Sequence, residues 1–104
     1  MYPVKGFAER FEALLDELDA LSEKVESEEL EDLNAELEDA LLLLTELDQR
    51  DDDWREKFVD AMDEFRSLAE DYRALSRRIP ALEPMALRMK ATADMALENL
   101  EESR

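Results

Sequence analysis

The chain has 104 residues, of which 30 are acidic and 13 basic, and its formal net charge at pH 7 is −17. It contains neither cysteine nor histidine, which excludes disulfide bonds, thiol nucleophiles, zinc fingers and histidine-based acid–base chemistry. A surface this negative repels nucleic acid and anionic membranes, so we expect direct binding of neither.

Apolar residues recur at alternating spacings of three and four from Val4 onward, a heptad pattern that predicts a first helix at about 3–25. The pattern then shifts register, and Ser27 is suited to cap a second helix at about 28–48. An alternative is one helix that continues through the shift, because residues 22–29 contain neither glycine nor proline.

A third apolar seam predicts a helix at about 53–79, and Asp53 and Glu56 at its start have the spacing of a capping box. Trp54 begins this seam, and we expect it to close one end of the core. Two prolines then end the third helix and suit the start of a fourth, at about 82–102.

These elements predict an all-α fold, namely an antiparallel four-helix bundle with up-down-up-down topology and left-handed packing. At this length we expect a single domain. The chain shows no signal-peptide pattern and no apolar run near the ~20 residues of a membrane span, so we expect a cytoplasmic protein. We expect no cofactor.

The acidic excess is concentrated in the second predicted helix and the turn after it. Residues 25–53 carry 13 acids and one base, whereas residues 54–79 carry six of each. We expect these acids to face solvent or neighbouring helix edges, in part paired with Arg55, Arg66 and Arg73 of the third helix. Their field should steer in a protein partner with a basic surface and compete there with nucleic acid. The candidate partner-binding residues are Glu28, Glu29, Glu31, Asp32, Glu36, Glu38, Asp39, Leu42 and Leu43.

Leucines outside the apolar seam favour a second interpretation. Leu42 and Leu43 lie beside the acids in a run of four leucines, and Leu87 and Met95 lie outside the seam of the fourth helix. Exposed apolar positions of this kind are typical of contacts between proteins. The alternative function is therefore a structural homo-oligomer, such as a dimer, with a solvated acidic face.

A third interpretation comes from Glu36-x-x-Asp39 followed by Ala-Leu-Leu-Leu-Leu. This segment, about a dozen residues long, resembles part of the all-α (MazG-type) nucleotide pyrophosphatases. The resemblance implies a magnesium-dependent enzyme whose metal site is completed by an upstream acid pair. A magnesium site between helices needs inward carboxylates, and Asp39 falls outside the seam, so we expect no enzymatic activity. The upstream pair would be Asp16 with Asp19, or Glu9 with Glu12.

Overall fold

The structure is a computed structural model that describes residues 2–102, and this range contains four α-helices and no strand. They are α1 (Val4–Lys24), α2 (Glu28–Thr45), α3 (Trp54–Leu75) and α4 (Leu82–Glu102). The predicted all-α class is confirmed. None of these helices is both long enough and apolar enough to cross a membrane.

The register shift between the first two seams is a break in the helix. Val25 has φ −117° and ψ 116°, and Ser27 has φ −140° and ψ 114°, so the backbone is extended at both residues. The Oγ atom of Ser27 accepts a hydrogen bond from the backbone N–H of Leu30 at 3.2 Å. The alternative of one continuous helix is therefore wrong, and Ser27 caps α2 as predicted.

The connection between α2 and α3 is longer than predicted, because α2 ends at Thr45, three residues before its expected end. Within it, the Asp48 carboxylate accepts a hydrogen bond from the backbone N–H of Arg50 at 2.9 Å and pairs with the guanidinium of the same residue at 2.9 Å. Gln49 Nε2 donates to the backbone carbonyl of Tyr2 at 2.9 Å. These interactions link residues within the connection, and they link the connection to Tyr2 near the start of the chain.

The predicted capping box at the start of α3 is wrong. Asp53 has φ −97° and ψ 13°, outside the extended region that a capping residue usually adopts, and its side chain makes no cap hydrogen bond. Its carboxylate instead lies 3.6 Å from Nζ of Lys57, one helical turn further on.

The third helix also ends earlier than predicted, at Leu75. The chain continues through turns in which the N–H groups of Arg78 and Ile79 both donate to the Leu75 carbonyl, at 3.0 and 3.1 Å. Pro80 disfavours helical geometry at the residue before it, which explains the irregular ending. The fourth helix occupies the predicted range.

Side chains from all four helices form one hydrophobic core. Helices α1 and α3 each pack beside α2 and α4. Across the core, the rings of Phe11 and Phe65 stack with centroids 3.9 Å apart and planes inclined by 6°. One end of the core is closed by an aromatic cluster that includes Trp54, as predicted. Its members are Tyr2, Phe7, Trp54 and Phe58.

Among the described residues, Asn34 is the one polar side chain buried with this core. Its Nδ2 donates to the backbone carbonyl of Leu18 at 3.2 Å, and its Oδ1 accepts from the hydroxyl of Tyr72 at 2.7 Å. A residue of α2 is thereby bonded to both α1 and α3.

Candidate protein-binding surface

Every acidic candidate on α2 is exposed to solvent, as the apolar seam predicted. The seam residues Leu30, Leu37 and Leu44 are buried and hold one face of α2 against the core. The helix contains no lysine or arginine. All the charged side chains on its outer surface are therefore acidic. The exposed acids are Glu28, Glu29, Glu31, Asp32, Glu36, Glu38 and Asp39.

Basic neighbours neutralise little of this surface. Within residues 2–102, Glu29 is the one acid of α2 that forms an ion pair, with its Oε1 2.7 Å from NH1 of Arg78. Both side chains are more than half exposed, so the pair contributes little to stability. The remaining six carboxylates face water.

The expected pairing of these acids with arginines of α3 is wrong. Arg66 pairs with Asp94 of α4 at 3.1 Å, because it projects toward the opposite neighbour. The guanidinium of Arg55 lies 4.9 Å from the centre of the Trp54 ring, a cation–π contact. Neither Arg55 nor Arg73 forms an ion pair in the described chain.

An open groove of about 700 Å³ lies between α2 and α3, beside the turn that joins them. We call it the α2–α3 groove. Glu36 and Asp39 line it from α2, and Asp60 and Glu64 line it from α3. With three further acids, seven carboxylates surround the groove against one lysine. The further acids are Glu46, Asp48 and Asp51, and the lysine is Lys57.

The apolar part of the lining of the α2–α3 groove, which we call its floor, comes from both helices. It consists of Ala40, Leu43 and Leu47 of α2 and its end, and of Ala61 of α3. A second depression of about 440 Å³ shares Glu36 with the first and continues between the same two helices. The groove therefore follows the helix pair.

Two of the charged residues that line the groove have partners outside it, namely Asp48 and Lys57. The bonds from the Arg50 side chain and backbone hold the pKa of the Asp48 carboxyl below its usual value, so this acid stays negative. Lys57 pairs with Asp53, which lies outside the groove. The charge of the lining thus remains strongly negative.

The two candidate leucines point in different directions. Leu42 and Leu43 are 55% and 68% exposed, but only Leu43 lines the α2–α3 groove. Leu87 and Met95 are also exposed, yet they belong to α4, which does not pack beside α2 in the described chain. The Sδ atom of Met95 accepts a hydrogen bond from NH1 of Arg10 at 3.3 Å. These apolar residues therefore do not form one continuous patch.

The acid pairs considered for magnesium are not assembled into a metal site. No group of three or more acidic side chains within residues 2–102 is arranged to hold a metal ion. Glu36 and Asp39 lie at the α2–α3 groove, whereas both candidate upstream pairs are exposed on α1.

The acids of α3 that line the groove were not predicted, although the sequence contains a signal for them. Asp60 and Glu64 each directly precede a residue of the apolar seam, as do Glu36 and Asp39 on α2. Such positions form a stripe along one edge of each helix. Because the net charge over residues 54–79 is zero, the charge balance of this segment did not indicate the acidic stripe.

Comparisons of the chain with protein-family models, with curated proteins and with solved structures find no match. The functional argument therefore rests on the surface described above.

Proposed function

We propose that the four helices form a left-handed, antiparallel bundle with up-down-up-down topology. In support, Glu29 of α2 pairs with Arg78, which follows α3, whereas Asn34 further along α2 contacts Tyr72 within α3. Residue numbers thus rise along one helix as they fall along the other. The heptad spacing favours left-handed packing near +20°.

We propose that the protein is a non-enzymatic, cytoplasmic protein that acts through protein–protein interaction. The acidic surface of α2 engages a basic protein surface, and the protein serves as an inhibitor or adaptor. The observation that carries this proposal is the exposure of seven acids on α2, six of which have no ion-pair partner in the described chain.

Helix stability alone does not account for these acids. Glu28, Glu29 and Glu31 lie in the first turn, where negative charge stabilises the helix dipole by about 0.3–1 kcal/mol each. Glu36 and Asp39 lie beyond that turn and gain nothing from it, because the effect is confined to the helix end. The like charges of Glu36 and Asp39 repel one another. Binding to a basic partner would account for their presence.

The charge spacing on α2 supports competition with nucleic acid for that partner. The seven acids of α2 lie between Glu28 and Asp39, a length of about 17 Å at 1.5 Å rise per residue. They give one charge per about 2.5 Å along the helix axis, between the roughly 3.4 Å of one nucleic-acid strand and the roughly 1.7 Å of a duplex. A basic groove that binds phosphates would therefore meet a similar charge density on α2.

A pull-down from nuclease-treated lysate, analysed by mass spectrometry at low and moderate salt, tests the proposal. One bait is the native protein, and the second has six acids of α2 neutralised. We expect a basic protein to be recovered by the first bait and lost from the second. Recovery by both baits would contradict the proposal. The neutralised positions are Glu28, Glu29, Glu31, Asp32, Glu36 and Glu38, each changed to the corresponding amide.

The exposure of Leu42 and Leu43 favours a second candidate, a structural homo-oligomer. In this case the leucines would be buried between copies of the chain and the acids would provide solubility. Sedimentation analysis of the native protein and of the Leu42→Ser, Leu43→Ser variant tests it. A native oligomer that dissociates in the variant would support this candidate, and a native monomer would eliminate it.

A further inference from the structure

We propose that the α2–α3 groove binds a cationic amphipathic α-helix of the partner protein. Its apolar side chains would rest on the groove floor, and its lysines or arginines would pair with the acids on both sides. This inference rests on the proposed function and deepens it, because it names the binding site and the kind of segment that fills it.

The floor of the groove provides the apolar part of the site. Leu43 is 68% exposed and has apolar neighbours in Ala40, Leu47 and Ala61. Burial of such surface is favourable at about 25 cal/mol per Å² of apolar area. An occupant with a stripe of apolar side chains would remove Leu43 from water, which a purely ionic ligand would not do.

The sides of the groove select a cation. Glu36 and Asp39 stand on one side and Asp60 and Glu64 on the other, and none of these four forms an ion pair within residues 2–102. Their charges are available to an incoming group. Phosphates, nucleic acids and acidic peptides would be repelled, whereas basic side chains flanking an apolar stripe would be paired on both sides.

The shape of the groove favours a helix over an extended peptide. On α2 and its end, the lining residues from Glu36 to Leu47 recur at spacings of three, one, three, three and one, over about 17 Å. This length matches three turns of a partner helix, whose anchors would recur at i, i+3, i+4 and i+7. Strand addition by an extended peptide would need a sheet edge, and the described chain contains no strand. A polyproline-type peptide would need a groove lined by aromatic side chains, and none lines this groove.

The test measures the binding of a synthetic helical peptide by isothermal titration calorimetry. The probe is an 18-residue peptide of leucine, alanine and lysine, with the leucines on one face and lysines on both flanks. Three comparison ligands are a peptide of the same composition with its leucines dispersed around the helix, a peptide with glutamate in place of lysine, and spermine.

Two matched pairs of variants locate the binding site. The groove variant carries Glu36→Gln, Asp39→Asn and Glu64→Gln. Its control also loses three negative charges, but from exposed positions of α1 that do not line the groove, namely Glu9→Gln, Glu12→Gln and Glu23→Gln. The second pair compares Leu43→Ala on the floor with Leu87→Ala, which is exposed on α4 and does not line the groove. Thermal unfolding checks that each variant is folded.

We expect the amphipathic probe to bind the native protein at least about tenfold more tightly than the dispersed peptide or spermine. The groove variant and Leu43→Ala should each weaken binding by about tenfold, whereas the two controls should change it by less than about threefold.

Equal weakening by the groove variant and its control, or equal binding of the dispersed peptide, would overturn the groove proposal. The proposed function would remain in either case, because it concerns the partner protein and is tested by the pull-down. No binding of any cationic ligand would also overturn the groove proposal. The proposed function itself fails on a different result, the recovery of the same partner by the native and the neutralised baits.

Discussion

Tyr72 of α3 donates a hydrogen bond from its hydroxyl to Oδ1 of Asn34 on α2, over 2.7 Å and inside the core. Asn34 also contacts α1, because its Nδ2 donates a hydrogen bond to the Leu18 carbonyl at 3.2 Å. A buried polar group that lacks a partner destabilises the fold, so only one register of these helices satisfies all three residues. We expect this network to fix how α1, α2 and α3 are aligned.

A double-mutant cycle measures that coupling. Tyr72→Phe leaves Oδ1 of Asn34 without its donor, and we expect the free energy of unfolding to fall by about 1–3 kcal/mol. Asn34→Ala should have a similar effect, because it leaves the Tyr72 hydroxyl unsatisfied. The double variant should be destabilised by less than the sum, as urea denaturation would detect. Effects that add to within about 0.5 kcal/mol would contradict the coupling.

Burial of Tyr72 also makes the free energy of unfolding depend on pH in the alkaline range. It raises the pKa of the Tyr72 hydroxyl above its ordinary value of 10.0, and the charges of Asp19 and Glu36 raise it further. Below pH 10 the proton is bound in both states. Above pH 10 the unfolded chain releases it while the folded protein retains it, so the free energy of unfolding falls as pH rises. The loss approaches about 1.4 kcal/mol per pH unit.

Denaturation of the native protein and of Tyr72→Phe between pH 9 and 12 measures this dependence. We expect the native protein to lose stability more steeply above pH 10 than the variant. Because burial also raises the pKa of Tyr2, Tyr2→Phe serves as a second comparison. Parallel stability curves for the native protein and Tyr72→Phe would contradict the expectation.

The two helix starts make a matched pair for capping. Ser27 accepts a hydrogen bond from Leu30 N–H, so Ser27→Ala should lower the free energy of unfolding by about 1 kcal/mol. Asp53 makes no cap hydrogen bond, and its ion pair with Lys57 is largely exposed. Asp53→Ala should therefore lower it by less than about 0.5 kcal/mol. Chemical denaturation distinguishes the two, and the reverse order would be inconsistent with the caps described.

Salt should stabilise this protein. The net charge of −17 produces self-repulsion, and salt screens repulsion between exposed charges over a length of about 10 Å at 0.1 M. The six ion pairs of the described chain are all partly exposed and contribute little that salt could remove. We expect the Tm to rise by several degrees between about 10 and 300 mM NaCl. A fall in Tm would indicate that attractive pairs dominate.

Structural features that depend on residues close together in the chain could be predicted from the sequence. The apolar period located the helices, and Ser27 with the register shift located the break between α1 and α2. The placement of Leu42 and Leu43 outside the core also followed from helical phase alone. Residues within one helix determine these features.

Contacts between helices could not be predicted in the same way. Helical phase indicates that Arg66 leaves the core, but whether it reaches α2 or α4 depends on how the helices are arranged, and the structure pairs it with Asp94 of α4. The same holds for Asp60, which shares a groove with Glu36 of α2. The burial and hydrogen bonds of Asn34 were not predicted, because its hydrogen-bond partners are 16 and 38 positions away in the chain.

The central claim is that the acidic surface of α2 binds a basic protein, and titration calorimetry with the recovered partner tests it most directly. The native protein is compared with two variants of net charge −11, one neutralised at the six α2 positions of the pull-down and one at six exposed acids elsewhere. The control positions are Glu9, Glu12, Asp16, Glu23, Glu98 and Glu101.

We predict that neutralising α2 weakens binding at least about tenfold, whereas the control of equal charge weakens it by less than about threefold. Equal losses in the two variants would mean that net charge alone attracts the partner. Unchanged affinity in the α2 variant would contradict the claim outright.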